Sequence, residues 1–140
     1  MAQSAWITTD RLRPHQSTRR ELERGLLIVT LAISAGIHGA LIREHFVEGV
    51  GPGGGFLAAT MLLLGLAATL IADAGKPALI AAAAVLMSLI TAYAFVITTG
   101  VPLLHPGVEP VDGLALFTKG VEALGLIAAL LLHHNERTTT

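Results

Sequence analysis

The sequence contains no cysteine, which removes several chemistries at once. Disulfides, thiolate zinc sites, iron–sulfur clusters and a cysteine nucleophile all need that side chain. Charge is scarce too: Asp, Glu, Lys and Arg make up 14% of the chain, against about 25% in an ordinary soluble domain. The hydrophobic 53% falls in long runs, which points to a membrane protein rather than a soluble core. No HExxH motif and no Ser–His–acid grouping is present, so nothing marks a hydrolase or any catalytic activity of the chain's own. The glycine-rich stretch EGVGPGGG, residues 48–55, lacks the GK[ST] ending and the preceding strand of a phosphate loop. It reads instead as a helix stop.

Four apolar runs are present. The fourth, residues 111–132, organises the rest. At about 22 residues and ~1.5 Å rise per residue it can cross a bilayer. Yet it carries Asp112, Lys119 and Glu122. Asp112 and Lys119 lie two turns apart and Glu122 one turn beyond, so the spacing predicts one charged stripe. An ionisable group at that depth costs about 2.5–3.5 kcal/mol or more if it faces lipid, so the stripe must face protein or water.

The first 24 residues are polar and hold Arg11, Arg13, Arg19, Arg20 and Arg24. Their arginines read as a juxtamembrane topology signal, and no nucleic-acid partner is expected. The segment and the run after it are too long for a signal peptide, so the first span reads as retained. Span one covers residues 25–46, span two 56–72, span three 77–99 and span four 111–132, with a polar tail at 133–140. In span one Ala32, Gly36 and Ala40 recur every fourth residue; in span three Ala84, Ser88 and Ala92 do the same. Such faces let another helix approach closely, within the bundle or from a partner. Thr60 and Thr69 read as bonding back to their own helix. Pro77 fits the first turn of span three, and His133 and His134 read as capping the end of span four.

Four spans put both termini on one side. Basic residues outside the spans are concentrated with the termini and at Lys76, with only Arg43 opposite. The expected fold is therefore all-α, an integral four-helix bundle in the cytoplasmic membrane with both termini cytoplasmic. This orientation places His38, Tyr93, Lys119 and Glu122 in the outer half, on three helices, as an intramembrane polar site. Above them the outward loops hold Glu44, His45, Glu48, His105, Glu109 and Asp112.

Three functions compete on these residues. The favoured one is an accessory or assembly subunit of a larger membrane complex, or a homo-oligomer, in which a Lys119–Glu122 pair fixes bundle register. The second is an outward-facing metal site for copper, zinc or iron, drawn from His38, Glu44, His45, Glu48, His105, Glu109 and Asp112. The third is a proton or small-solute permease with Glu122 as carrier. Haem is disfavoured, because bis-histidine ligation needs two inward histidines at similar depth and only His38 lies within a span.

The order His38, Glu44, His45, Glu48, followed by Thr99-Gly100-x-Pro102, Glu109-Pro110-x-Asp112-Gly113 and Glu122, resembles small four-helix membrane proteins of high-GC Gram-positive bacteria. The Ala-, Gly- and Arg-heavy composition fits that source. The resemblance covers residues 25–132; it implies the four-span topology and the outward polar site, and supplies no reaction.

Overall fold

In a computed structural model the described residues form four α-helices: α1 (Arg13–Glu48), α2 (Val50–Ile71), α3 (Gly75–Thr98) and α4 (Gly113–Arg137). The structure describes residues 13–72, 75–100, 107, 108 and 110–137. Each helix contains a stretch long and apolar enough to cross a membrane. Successive helices run antiparallel. Arg24 of α1 meets Leu70 of α2, and further along Gly39 meets Thr60. Glu23 meets Asn135 of α4, and Ser34 meets Glu122. The helices form a ring in which α1 packs on α2 and α4, and α3 packs on α4 and, least of all, on α2. Gly49, the end of α3 and the start of α4 lie at one end, the upper end. The starts of α1 and α3 and the ends of α2 and α4 lie at the lower end.

Several boundaries differ from those expected of the sequence, and α1 already begins at Arg13 rather than near residue 25. The glycine-rich stretch does not stop the chain for eight residues. Gly49 alone separates α1 from α2, and Val50 to Gly55 are helical. Pro52 falls in the first turn of α2, where its missing N–H costs nothing. Gly53 serves a close approach: a Cβ there would stand 2.3 Å from Cγ of Phe46 in α1. The fourth helix begins at Gly113, and Asp112 lies just before it. Asp112 Oδ1 accepts the Ala115 N–H at 2.8 Å, so this carboxylate caps the helix and favours its positive end instead of joining a buried stripe. At the other end α4 continues past His133 and His134 to Arg137, so the two histidines lie inside its last turns rather than capping it. Gly100, at φ 68°, follows α3 in the left-handed conformation that ends helices.

The core of the lower and central part is apolar. Leu27, Leu31, Leu63 and Leu86 are fully buried, one or more from each of α1, α2 and α3, and Ala128 and Ala129 close it from α4. The upper half of the interior is different: Ser34, His38, Thr118 and Glu122 are buried there. Meanwhile Val29, Ile33, Met61, Leu62, Ile80, Met87, Phe117, Leu124 and Ile127 are exposed around the outside.

The lower end is tied by polar links. The Arg24 guanidinium donates from both Nε (2.9 Å) and Nη2 to the carbonyl of Leu70, in the last turn of α2. Arg19 pairs with Glu23 at 2.8 Å, and Asn135 of α4 donates to the same glutamate at 3.1 Å.

Candidate functional site

Two side chains on one face of α4 form the centre of the site. Lys119 and Glu122 are spaced one turn apart, and Lys119 Nζ donates to Glu122 Oε2 at 2.6 Å. The same ammonium reaches the carbonyl of Leu89 in α3 at 3.4 Å and stands 5.5 Å from the centroid of the Tyr93 ring. A cation at that distance over an aromatic face is attracted by the ring quadrupole. Glu122 has no exposed surface, while the Lys119 side chain keeps 17%.

Helix α1 supplies the other half. Ser34 Oγ donates to Glu122 Oε1 at 2.9 Å. His38 stands one turn above, with Nδ1 at 2.9 Å from the Ser34 carbonyl and 3.4 Å from Ser34 Oγ. These contacts define the tautomer. The carbonyl can only accept, and the Ser34 hydroxyl already donates its hydrogen bond to Glu122. Nδ1 is therefore the ring nitrogen that carries hydrogen. Nε2 then turns toward Glu122 Oε1, 3.9 Å away. Helix α2 contributes no charge here: Phe56 lies 5.2 Å from the His38 ring, and stacks at 3.6 Å on His45.

So His38, Tyr93, Lys119 and Glu122 come together as one cluster across three helices. The residues weighed for a metal do not. His45 donates Nδ1–H to the Leu41 carbonyl at 3.0 Å and lies flat on Phe56. Glu44 and Glu48 are exposed, Asp112 caps α4, and His105 and Glu109 lie outside the described residues. Among the described residues no three His, Asp or Glu side chains converge on a point where an ion could sit. Within the cluster the two carboxylate oxygens already accept from Ser34 and from Lys119.

Ser34 is the member of the site that sequence reasoning missed, with Thr30 below it. The signal was present: Thr30, Ser34 and His38 recur every fourth residue, a polar stripe within an apolar run. The stripe of Ala32, Gly36 and Ala40, with the same period, lies instead on the exposed side of α1. Ala84, Ser88 and Ala92 are likewise exposed on α3. Thr60 and Thr69 donate to carbonyls of their own helix, each at 2.8 Å.

The arrangement defines an all-helical bundle of four apolar helices around a buried, charge-paired cluster. No protein-family model, no curated protein and no solved structure matches the chain.

Proposed function

We propose that the chain is a multi-pass protein of the cytoplasmic membrane, with both termini cytoplasmic, and that it works as an accessory or assembly subunit of a larger membrane complex. Insertion is supported by two ionisable groups, His38 and Glu122, buried inside the bundle while many large apolar side chains face outward. The orientation rests on the arginines of the N-terminal segment with Lys76 and Arg137, against Arg43 alone on the other side.

One observation carries the subunit reading. The small-residue face of α1 is turned away from the bundle, and a Cβ at Gly36 would meet nothing within 4 Å. Within the chain the glycine has no steric purpose. In a bilayer such a face lets a second helix bring its backbone close, where dispersion and weak polar contacts accumulate. The charged cluster fits the same role. It is neutralised internally and holds α1, α3 and α4 in one register, which keeps the outer face in shape.

The test is a substitution that spares the bundle and spoils the face. G36L should leave thermal unfolding of the isolated chain unchanged, because space is open there. It should also reduce co-purification of a fixed partner from native membranes in mild detergent at least tenfold. Native mass spectrometry of the wild type then identifies the partner, another copy or a different chain. A wild type that runs as a lone chain of full stability, or G36L complexes as abundant as wild type, would overturn the reading.

A further inference from the structure

His38 Nε2 and Glu122 Oε1 face each other at 3.9 Å, and with the imidazole neutral and the carboxyl ionised neither brings a hydrogen to the gap. The imidazole hydrogen is on Nδ1, held by the Ser34 carbonyl at 2.9 Å. Oε1 is a carboxylate oxygen that accepts from Ser34. Two lone pairs directed at one another in a buried site are a vacancy of definite chemistry, complementary to one proton.

We propose that the His38–Glu122 pair is a reversible proton-binding site, beyond any role in holding a partner. The proton is taken from hydronium or a water-borne buffer acid, which becomes water or the conjugate base. It bonds to the Nε2 lone pair, and no other bond breaks. The neutral imidazole becomes imidazolium, Nδ1–H keeps its bond to Ser34, and Nε2–H closes onto Glu122 Oε1. The gap must shrink by about 1 Å to reach an ordinary charge-assisted hydrogen bond.

The titratable groups around the site come from α1, α3 and α4. Helix α1 brings His38 and, above it, His45. Helix α4 brings Glu122 and the opposing Lys119, and α3 brings Tyr93. From α2 come Phe56 and Thr60, neither of which is ionisable at neutral pH. Lys119 matters most, because it already occupies the other carboxylate oxygen. The cluster is neutral before uptake and carries one positive charge after it.

The site is reached from one side. Below the cluster Leu27, Leu31, Leu63 and Leu86 are fully buried, and Thr30, the polar side chain buried there among the described residues, spends its hydroxyl on the Leu27 carbonyl. Above Ser34 in the bundle, the His38 side chain keeps 9% of its surface. The fold therefore provides a terminus for a proton rather than a conduit.

The experiment uses the full chain, labelled with ¹⁵N-histidine, in phosphatidylcholine nanodiscs, with H38Q to assign the signals. Between about pH 8 and pH 5, Nε2 of His38 should pass reversibly from an unprotonated to a protonated resonance while Nδ1 stays protonated throughout. E122Q should remove that transition from the window, with the helix content retained. A His38 ring that keeps one protonation state across the window in folded wild type would overturn the proposal. So would a transition unchanged in folded E122Q. If E122Q does not fold, the wild-type Nδ1 and Nε2 signals still decide, because the proposal requires Nε2 alone to change. Steady proton flux through the same chain in vesicles would overturn the one-sided site.

Discussion

Gly125 of α4 faces Thr30 of α1 so closely that no side chain fits between them. A Cβ on Gly125 would lie 2.6 Å from Thr30 Oγ1 and 3.2 Å from Leu86 Cδ1 of α3. This is the point where three helices crowd together, one turn below Glu122. G125A should destabilise the bundle by about 1–3 kcal/mol, since overpacking forces the backbones apart. Thr30 spends its hydroxyl on the Leu27 carbonyl of its own helix, at 2.9 Å. Removing that hydroxyl therefore leaves no partner on another helix unsatisfied. T30A should cost little, and T30A combined with G125A should recover most of the loss. Reversible unfolding in mixed micelles measures all three, and a double variant no better than G125A would show that the crowding lies elsewhere.

Ser34 joins α1 to α4 through one hydroxyl, and Glu122 depends on it. In S34A the buried carboxylate keeps Lys119 but loses its second donor. A hydrogen bond to a charged group contributes about 1.5–3 kcal/mol, so S34A should destabilise by that order despite its small change in volume. S34T retains a hydroxyl and should lose less. Equal losses in S34A and S34T would assign the effect to volume and not to the hydrogen bond. The same unfolding assay distinguishes the two.

Lys119 and Glu122 should be strongly coupled. In a bilayer the leucine core contributes little to the choice of arrangement, because lipid tails are as apolar as leucine. The charged pair does contribute, since either partner left facing lipid costs about 2.5–3.5 kcal/mol. K119M strands a fully buried carboxylate, and breaking a buried pair in this way costs about 3–5 kcal/mol. Replacing both, as K119M with E122Q, should cost less than K119M alone. Additive losses in this double-mutant cycle would mean that the 2.6 Å pair stores no coupling.

The fold was largely legible in the sequence because apolar length is a strong signal. Four runs of bilayer length gave four helices, and an ionisable stripe that cannot face lipid identified which way α4 turns. What remained hidden were features that depend on neighbours. Residues 48–55 read as a loop from glycine propensity, yet Gly53 is helical, and its lack of a Cβ lets Phe46 lie against it. Asp112 has the right spacing for the charged stripe, but it stands one residue before α4 and caps it. On α1 two stripes with the same period of four compete, and nothing local says which faces inward. The inward one is Thr30, Ser34 and His38, decided by what α4 presents: Glu122, which needs donors, and Gly125, which leaves room. The metal reading drew its donors from loops and helix ends, whose mutual placement no spacing along the chain could fix.

Arg24 gives a prediction at the far end of the bundle. Its guanidinium donates twice to the carbonyl of Leu70, one of the last carbonyls of α2. A helix ends with carbonyls that lack intrahelical donors and with partial negative charge, so a cation on the neighbouring helix satisfies both needs. The planar fork of arginine can place two N–H groups on one oxygen, whereas an ammonium places a point charge. R24A should therefore fray the last turn of α2, at a cost of about 1 kcal/mol. R24K should recover the electrostatic part and not the fork. Hydrogen exchange locates the effect: the amide of Ala72, bonded to Ala68 at 3.0 Å, should exchange faster in R24A, while amides around Ala128 in α4 should not change. Protection lost equally in both helices would instead make Arg24 a link of the whole bundle. Unchanged protection at Ala72 would mean that α2 needs no cap from α1.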